Sequence, residues 1–80
     1  MEKELLAPPV VEQIFRVVPY LTRLPVGRLL VDYDPEADVL YLSFERPQQA
    51  TDSEMLDNGV LLRYRGRKLV GVTVFEASKR

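Results

Sequence analysis

The sequence predicts an α+β protein: a four-stranded antiparallel sheet, built as two hairpins in a meander, with one N-terminal helix. Apolar runs of strand length flank a turn-forming sequence at residues 33–41, and the same arrangement recurs over residues 60–75. Before them, apolar residues recur at helical spacing between residues 10 and 21. The 80 residues are expected to form a single domain over 1–80, with a helical segment at 1–27 and the sheet at 28–80.

The first hairpin is predicted from its turn. Residues 29–33 and 39–44 are rich in the aliphatic, β-branched and aromatic residues that favour strands. Between them, the carboxylate of Asp34 can accept hydrogen bonds from the backbone ahead of it, and Pro35 presets φ at the second turn position. This pattern predicts two strands joined by a loop of four or five residues.

The second hairpin has residues 60–64 and 69–75 as its strands, and Gly66 is expected to supply a positive φ in the turn. The two hairpins carry opposite charges. In a meander both turns lie at the same end of the sheet, so we expect a modest attraction between them. The acidic residues are Asp32, Asp34, Glu36 and Asp38, and the basic residues are Arg63, Arg65, Arg67 and Lys68.

The N-terminal helix is predicted over residues 9–18. Pro8 and Pro9 suit a first turn, and Pro19 is expected to end or kink the helix, because an internal proline costs about 3 kcal/mol. One apolar stripe runs along this helix, and such a stripe can cover a sheet, a partner protein or a membrane surface. Its residues are Val10, Ile14, Val17 and Leu21.

Period two divides the strand residues between two faces. One face is predicted to be the core: Val31, Tyr33, Leu40, Leu42, Phe44, Val60, Leu62, Tyr64, Val70, Val72 and Val74. The other is expected to be covered in part by the helix or by a second subunit: Leu30, Asp32, Val39, Tyr41, Ser43, Leu61, Arg63, Leu69, Thr73 and Phe75. The irregular stretch 45–58 has two interpretations: a brief strand at residues 55–56, or a helical turn opened by a capping-box pattern at residues 51–54.

Composition argues against several functions. The chain has neither His nor Cys, so it lacks the commonest general base, the commonest metal ligand and a thiolate nucleophile. We therefore expect no enzyme activity, no catalytic residues and no cofactor. A net charge of −1 disfavours broad nucleic-acid binding, and no stretch approaches a membrane span or a signal peptide. The expected location is the cytoplasm.

Two charged clusters nevertheless require interpretation. The alternating acids of the first turn invite comparison with a calcium loop, but Ala37 stands where that loop needs glycine and Ser43 where it needs glutamate. We predict no metal site there. In the second hairpin, Arg63, Arg65 and Arg67 are suited to contact phosphates while Tyr64 stacks on a base, which makes a nucleic-acid-contacting regulator the alternative function.

Residues 33–41, Tyr-Asp-Pro-Glu-Ala-Asp-Val-Leu-Tyr, resemble the signature of a family of small bacterial and archaeal proteins, the domain of unknown function 2283. Residues 59–64 and the closing Leu-Val-Gly…Ala-Ser-Lys segment at 69–79 match further pieces of that pattern in order. The resemblance covers about residues 29–80, whereas the preceding segment departs from the usual short form. It implies a fold and assigns no catalytic residue. It also implies a partner, since some members are suspected to bind toxin-like proteins encoded beside them.

These observations together predict a non-catalytic protein-binding module. The expected partner is a second copy, giving a homodimer, or a toxin-like protein, for which this chain would be the antitoxin. The helix stripe of Val10, Ile14, Val17 and Leu21 is the expected contact.

Overall fold

The computed structural model describes residues 2–80, with side chains described from residue 9 onward. One helix precedes an antiparallel sheet, so the predicted α+β class is confirmed, but the sheet has five strands rather than four. The elements are α1 Glu2–Thr22, β1 Leu30–Asp34, β2 Val39–Ser43, β3 Asp52–Met55, β4 Val60–Arg65, β5 Lys68–Phe75 and a 3-10 turn at Ala77–Lys79.

The sheet is not the predicted meander. Its strand order is β1-β2-β5-β4-β3, so the last strand lies in the centre and pairs with both β2 and β4. This order places the β1–β2 turn beside the end of β5, where Val39 pairs with Phe75, and the β4–β5 turn at the opposite end. The expected attraction between the acidic and basic turns is therefore wrong, because the two turns lie at opposite ends of the sheet.

The predicted local turn chemistry is confirmed. The Asp34 Oδ1 atom accepts hydrogen bonds from the N–H groups of Glu36 at 3.0 Å and Ala37 at 3.3 Å. Gly66 adopts φ 62° between β4 and β5. Because these features depend only on neighbouring residues, the sequence is sufficient to predict them.

The extra strand, β3, forms a third hairpin with β4. Asp52 to Met55 pair with Tyr64 to Leu61. A strand therefore forms, but it covers residues 52–55 rather than the predicted 55–56, and the helical turn at residues 51–54 is wrong. The Thr51 hydroxyl does not cap a helix. It accepts a hydrogen bond from the Gly66 N–H at 3.0 Å, and the Thr51 N–H donates to the Tyr64 carbonyl at 2.7 Å.

Helix α1 is longer than the predicted range of residues 9–18. It begins before Pro8 and continues through Pro19 to Thr22. Pro19 removes one backbone donor, but the following turn still closes: the Thr22 hydroxyl donates to the Pro19 carbonyl at 3.1 Å, and the Arg23 N–H donates to Tyr20 at 3.3 Å. One missing hydrogen bond is therefore not enough to end this helix.

The helix does not form a layer over the sheet. Every residue from 9 to 28 is exposed, including the large apolar residues of the helix from Val10 onward. The radius of gyration is 14.6 Å, against roughly 12 Å for a compact domain of this length. The molecule is elongated, with principal extents of 45 × 28 × 21 Å. No helix in the described part of the chain is long and apolar enough to span a membrane.

The buried residues other than Val70 show which face of the sheet is closed. Val39, Gly71 and Thr73 are buried, and the strand register places all three on the face expected to be the outer one. We call it the covered face. Residues 45–50 fold over part of it: the Gln48 carboxamide lies over Gly71 and donates to the Ser43 hydroxyl at 2.7 Å. A Cβ at position 71 would overlap the Gln48 side chain.

The predicted core face is less buried than its opposite. Apart from Val70, which is fully buried, its residues are half-buried or exposed. The prediction was wrong about which face is closed, because α1 leaves the sheet while residues 45–50 fold over the other side. Leu69 also changes face: the register between β4 and β5 shifts at Arg63 and Tyr64, and Leu69 pairs with Tyr64.

Candidate binding surface

An uninterrupted apolar surface lies on the uncovered side of the sheet. The register aligns two rows of side chains across four strands. Adjacent strands lie about 4.8 Å apart, so each row is about 14 Å wide. We call this surface the open face. One row is Val31, Leu42, Val72 and Leu62, the other is Tyr33, Leu40, Val74 and Val60, and Phe44, Tyr64 and Leu69 complete the open face.

The segment after α1 touches only one end of the open face. There it encloses an apolar cavity of about 320 Å³ with residues of β2 and β5. The C-terminal end of α1 therefore lies beside the open face, but the helix does not lie on that face. The lining residues are Leu24, Pro25, Val26 and Leu29 from the linker, and Leu42, Phe44, Leu69 and Val72 from the sheet end.

The helix stripe is exposed along its whole described length. Ile14 is 51% exposed, and Val10, Val17 and Leu21 are more than two-fifths exposed. Phe15, on a neighbouring flank of the helix, is 69% exposed. The structure thus places all four predicted contact residues on one uncovered helix face, and adds the open face as a second apolar surface that was expected to be internal.

The total exposed area measures how incomplete this arrangement is. The chain exposes 6549 Å², whereas a compact monomer of 9.2 kDa exposes about 4,900 Å². The excess is roughly 1,600 Å², which is comparable to the area buried in a stable protein–protein complex. An isolated chain in this conformation therefore leaves an interface-sized excess of surface in water, to which exposed large apolar side chains contribute.

The acidic residues of the first turn have separate structural roles. Asp38 holds the C-terminal turn: its carboxylate accepts the Ser78 N–H at 2.9 Å, the Ser78 hydroxyl at 2.8 Å and the Tyr33 hydroxyl at 2.6 Å. The Tyr33 and Ser78 hydrogen bonds lower the pKa of the Asp38 carboxyl, and the bond to Asp38 raises the pKa of Tyr33. Asp38 also adopts φ 57°, a left-handed conformation that Asp tolerates better than most residues.

The remaining carboxylates of that turn do not converge. Asp34 caps the turn itself, and Asp32 pairs with Arg46 at 2.9 Å. Across residues 9–80, no three acidic side chains are grouped where they would hold a metal ion. Asp32, Asp34 and Asp38 alternate along the sequence, but each makes a different contact.

The basic residues of the second hairpin are also dispersed. Arg65 and Lys68 both pair with Glu45, at the end of the sheet away from the acidic turn. The hydrogen bond from Arg65, followed by that from Lys68, lowers the pKa of Glu45 from 4.5 to about 2. Arg67 is exposed in the turn, while the Nε atom of Arg63 is buried and has no hydrogen-bond partner. The three arginines of the alternative function therefore do not form one free patch.

Sequence reasoning missed three residues that organise the sheet. Glu45, Gln48 and Ser78 all make contacts across at least five residues of sequence: Gln48 with Ser43, Glu45 with Arg65, and Ser78 with Asp38. Of these three residues only Glu45 gave a signal in the sequence, because its negative charge is opposite to that of the basic residues in the second hairpin. The other two lie in polar segments that resemble ordinary surface.

A model of the family described as "Protein of unknown function (DUF2283)" matches residues 30–78, which is more than half of the chain. The match begins with β1 and ends inside the C-terminal turn, so α1 lies outside it. No curated protein and no solved structure matches the chain.

Proposed function

This chain belongs to the DUF2283 family, and from that premise we propose that it is a non-catalytic protein-binding module. The observation that carries the proposal is the simultaneous exposure of two apolar surfaces, the helix stripe and the open face. Monomeric proteins rarely expose contiguous apolar patches larger than a few hundred Å², so surfaces of this extent mark interaction sites.

The form of the helix supports a recognition role. A helix that presents apolar residues at i, i+4, i+7 and i+11 is the element that docks into an apolar groove or onto a sheet. Ile14 lies in the middle of the stripe, where truncation of a contact residue has its largest effect on binding. The partner is either a second copy of the chain or a toxin-like protein, as the family resemblance suggests.

We expect Ile14→Asp to abolish or strongly weaken association, because it places a charge in the centre of the apolar stripe. The dissociation constant should rise at least tenfold, equivalent to about 1.4 kcal/mol. The measurement is the molar mass by light scattering across a dilution series, together with the recovery of co-purifying protein from the native host.

Arg16→Gln is the matched control. It changes the net charge by the same single unit and lies on the side of the helix opposite the stripe, at 100° per residue. Association of Ile14→Asp at wild-type strength would show that the stripe is not the contact. Equal losses in both variants would indicate a charge effect instead of a specific surface.

The alternative, contact with nucleic acid through Arg63, Arg65 and Arg67, has less support. Arg65 is already paired with Glu45, and Arg63 is partly buried on the covered face. Binding to DNA or RNA that weakens steeply with salt, and is lost when these arginines are replaced, is the behaviour that would favour it.

A further inference from the structure

We propose that two copies of this chain exchange helices, so that the helix stripe of each copy lies on the open face of the other. This inference rests on the proposed binding function and specifies its occupant. It uses both exposed apolar surfaces at once, because the helix of each copy covers the open face of the other copy.

The two exposed surfaces of one chain complement each other. A partner of another kind would have to offer both a surface for the helix and an element for the open face. A second copy offers both, and a two-fold axis satisfies the two contacts in a single closed dimer. The helix stripe and the open face of both copies are then covered, so neither surface is left to recruit a third copy.

The helix and the open face match in size. Helix α1 has 21 residues, which at 1.5 Å each gives a length of about 32 Å. The central strand β5 has eight residues and is therefore about 27 Å long. A helix is about 10 Å in diameter, and the apolar rows are about 14 Å wide, so one helix covers most of one open face.

The linker after α1 lies at one end of the open face. Leu24, Pro25 and Val26 line the cavity at one end of the open face, so the C-terminal end of α1 is held beside the surface that needs covering. Pro25 restricts the residue before it to extended conformations, which opposes a tight reversal of the helix onto its own sheet. The helix instead projects from that end toward a neighbouring molecule.

The exposed area of the chain is in the range that a homodimer would bury. An excess exposed area of roughly 1,600 Å² in each copy gives roughly 3,200 Å² for the pair. This value lies within the 2,000–5,000 Å² typical of obligate homodimers. A small partner covering only the helix stripe would leave the open face in water.

The test uses one variant on each surface and then their mixture. Val31→Asp places a charge on the open face at an edge-strand residue that is 56% exposed, so the fold should tolerate it. Met55→Asp is its control, since Met55 is 57% exposed on an edge strand but belongs to the opposite face by register. Far-UV circular dichroism shows that each variant is folded.

Wild type and Met55→Asp should have twice the chain mass of 9.2 kDa, whereas Ile14→Asp and Val31→Asp alone should dissociate roughly tenfold or more easily. An equimolar mixture of Ile14→Asp and Val31→Asp should recover the dimer. In that pair, the intact helix of one variant meets the intact open face of the other. Two copies of either single variant have no intact contact.

Each other outcome overturns the exchange in a recognisable way. A mixture that stays monomeric overturns the exchange, because an intact helix and an intact open face are then present and do not associate. If the Ile14→Asp dimer dissociates and the Val31→Asp dimer does not, the proposed binding function stands, but the open face is not part of the contact. A monomeric wild type excludes the exchange, and the binding function then depends on whether another protein co-purifies.

A covalent test guards against loss of folding in the charged variants. The chain has no cysteine, so Ile14→Cys combined with Leu42→Cys and a short bismaleimide can join these two positions. Each single-cysteine variant is the control, because it crosslinks only if two helices or two open faces meet. Exchange predicts crosslinked dimers, whereas a helix folded onto its own sheet gives crosslinked monomers and overturns the proposal.

Discussion

The sheet and the helix of this protein are stabilised in different ways. The sheet closes one of its faces with its own chain: Gln48 lies over Gly71, Asp38 holds Ser78, and Glu45 joins Arg65 and Lys68. The helix does not cover the sheet, and nothing covers the helix, since every described side chain from residue 9 to Thr22 is exposed. The family match covers the sheet and excludes the helix. The sheet therefore has a core formed by its own residues, whereas the helix is the element for which we propose association.

The largest expected difference between the two regions is in core packing. Val70 is fully buried, so Val70→Ala should lower the free energy of unfolding by about 2 kcal/mol through lost contacts and a cavity. Under dilute, monomeric conditions Val17→Ala on the exposed helix should change it by less than about 0.5 kcal/mol. Urea denaturation of both variants measures the difference, and equal losses would mean that helix and sheet are packed together.

A smaller effect is expected where the C-terminal turn is held. Asp38→Asn keeps the size of the side chain but removes the charge that strengthens its three hydrogen bonds. The amides of Ala77 and Ser78 should exchange with solvent faster, while those of α1 should not change. Hydrogen exchange measured by NMR tests this, with Glu36→Gln on the same turn as the control. Unchanged protection at Ser78 would show that Asp38 does not hold the turn.

The mildest test is a pH titration of the sheet end. The pKa of Glu45 is lowered from 4.5 to about 2, with the Arg65 hydrogen bond as its largest cause. A lowered folded-state pKa contributes stability that is present above pH 4.5 and is lost as pH falls toward 2. Thermal melts of wild type should therefore show a decline over that interval that Glu45→Gln makes shallower. Parallel curves would show that the cluster does not contribute.

The sequence was sufficient for features decided by neighbouring residues. The β1–β2 turn, the positive φ of Gly66 and the two predicted hairpins follow from local preferences. The sequence was insufficient where two segments that are far apart in the chain pair as neighbouring strands. Nothing in the apolar pattern of β5 distinguishes pairing with β2 from the simple meander, because both orders bury the same alternating residues.

The candidate surface was predicted only in its helical half. The 3.6-residue period identified the helix stripe, but the open face had been assigned to the core. Which face is closed depended on Gln48, whose polar segment gave no sign that it would fold over Gly71. Leu69 was misplaced because a bulge at Arg63 and Tyr64 shifts the alternation, and a bulge has no strong sequence signal without glycine in the left-handed conformation.

The central position of β5 has a consequence for synthesis of the protein on the ribosome. Residues 68–75 follow all the other strands in the chain, yet they are the strand that joins the β1–β2 hairpin to the β3–β4 hairpin. Isolated two-stranded hairpins are marginally stable in water, so neither is expected to persist before β5 arrives. The nascent chain therefore remains without its sheet until nearly all of residues 1–75 have been translated. Its apolar helix emerges from the exit tunnel well before the open face, the surface on which we propose that a helix docks.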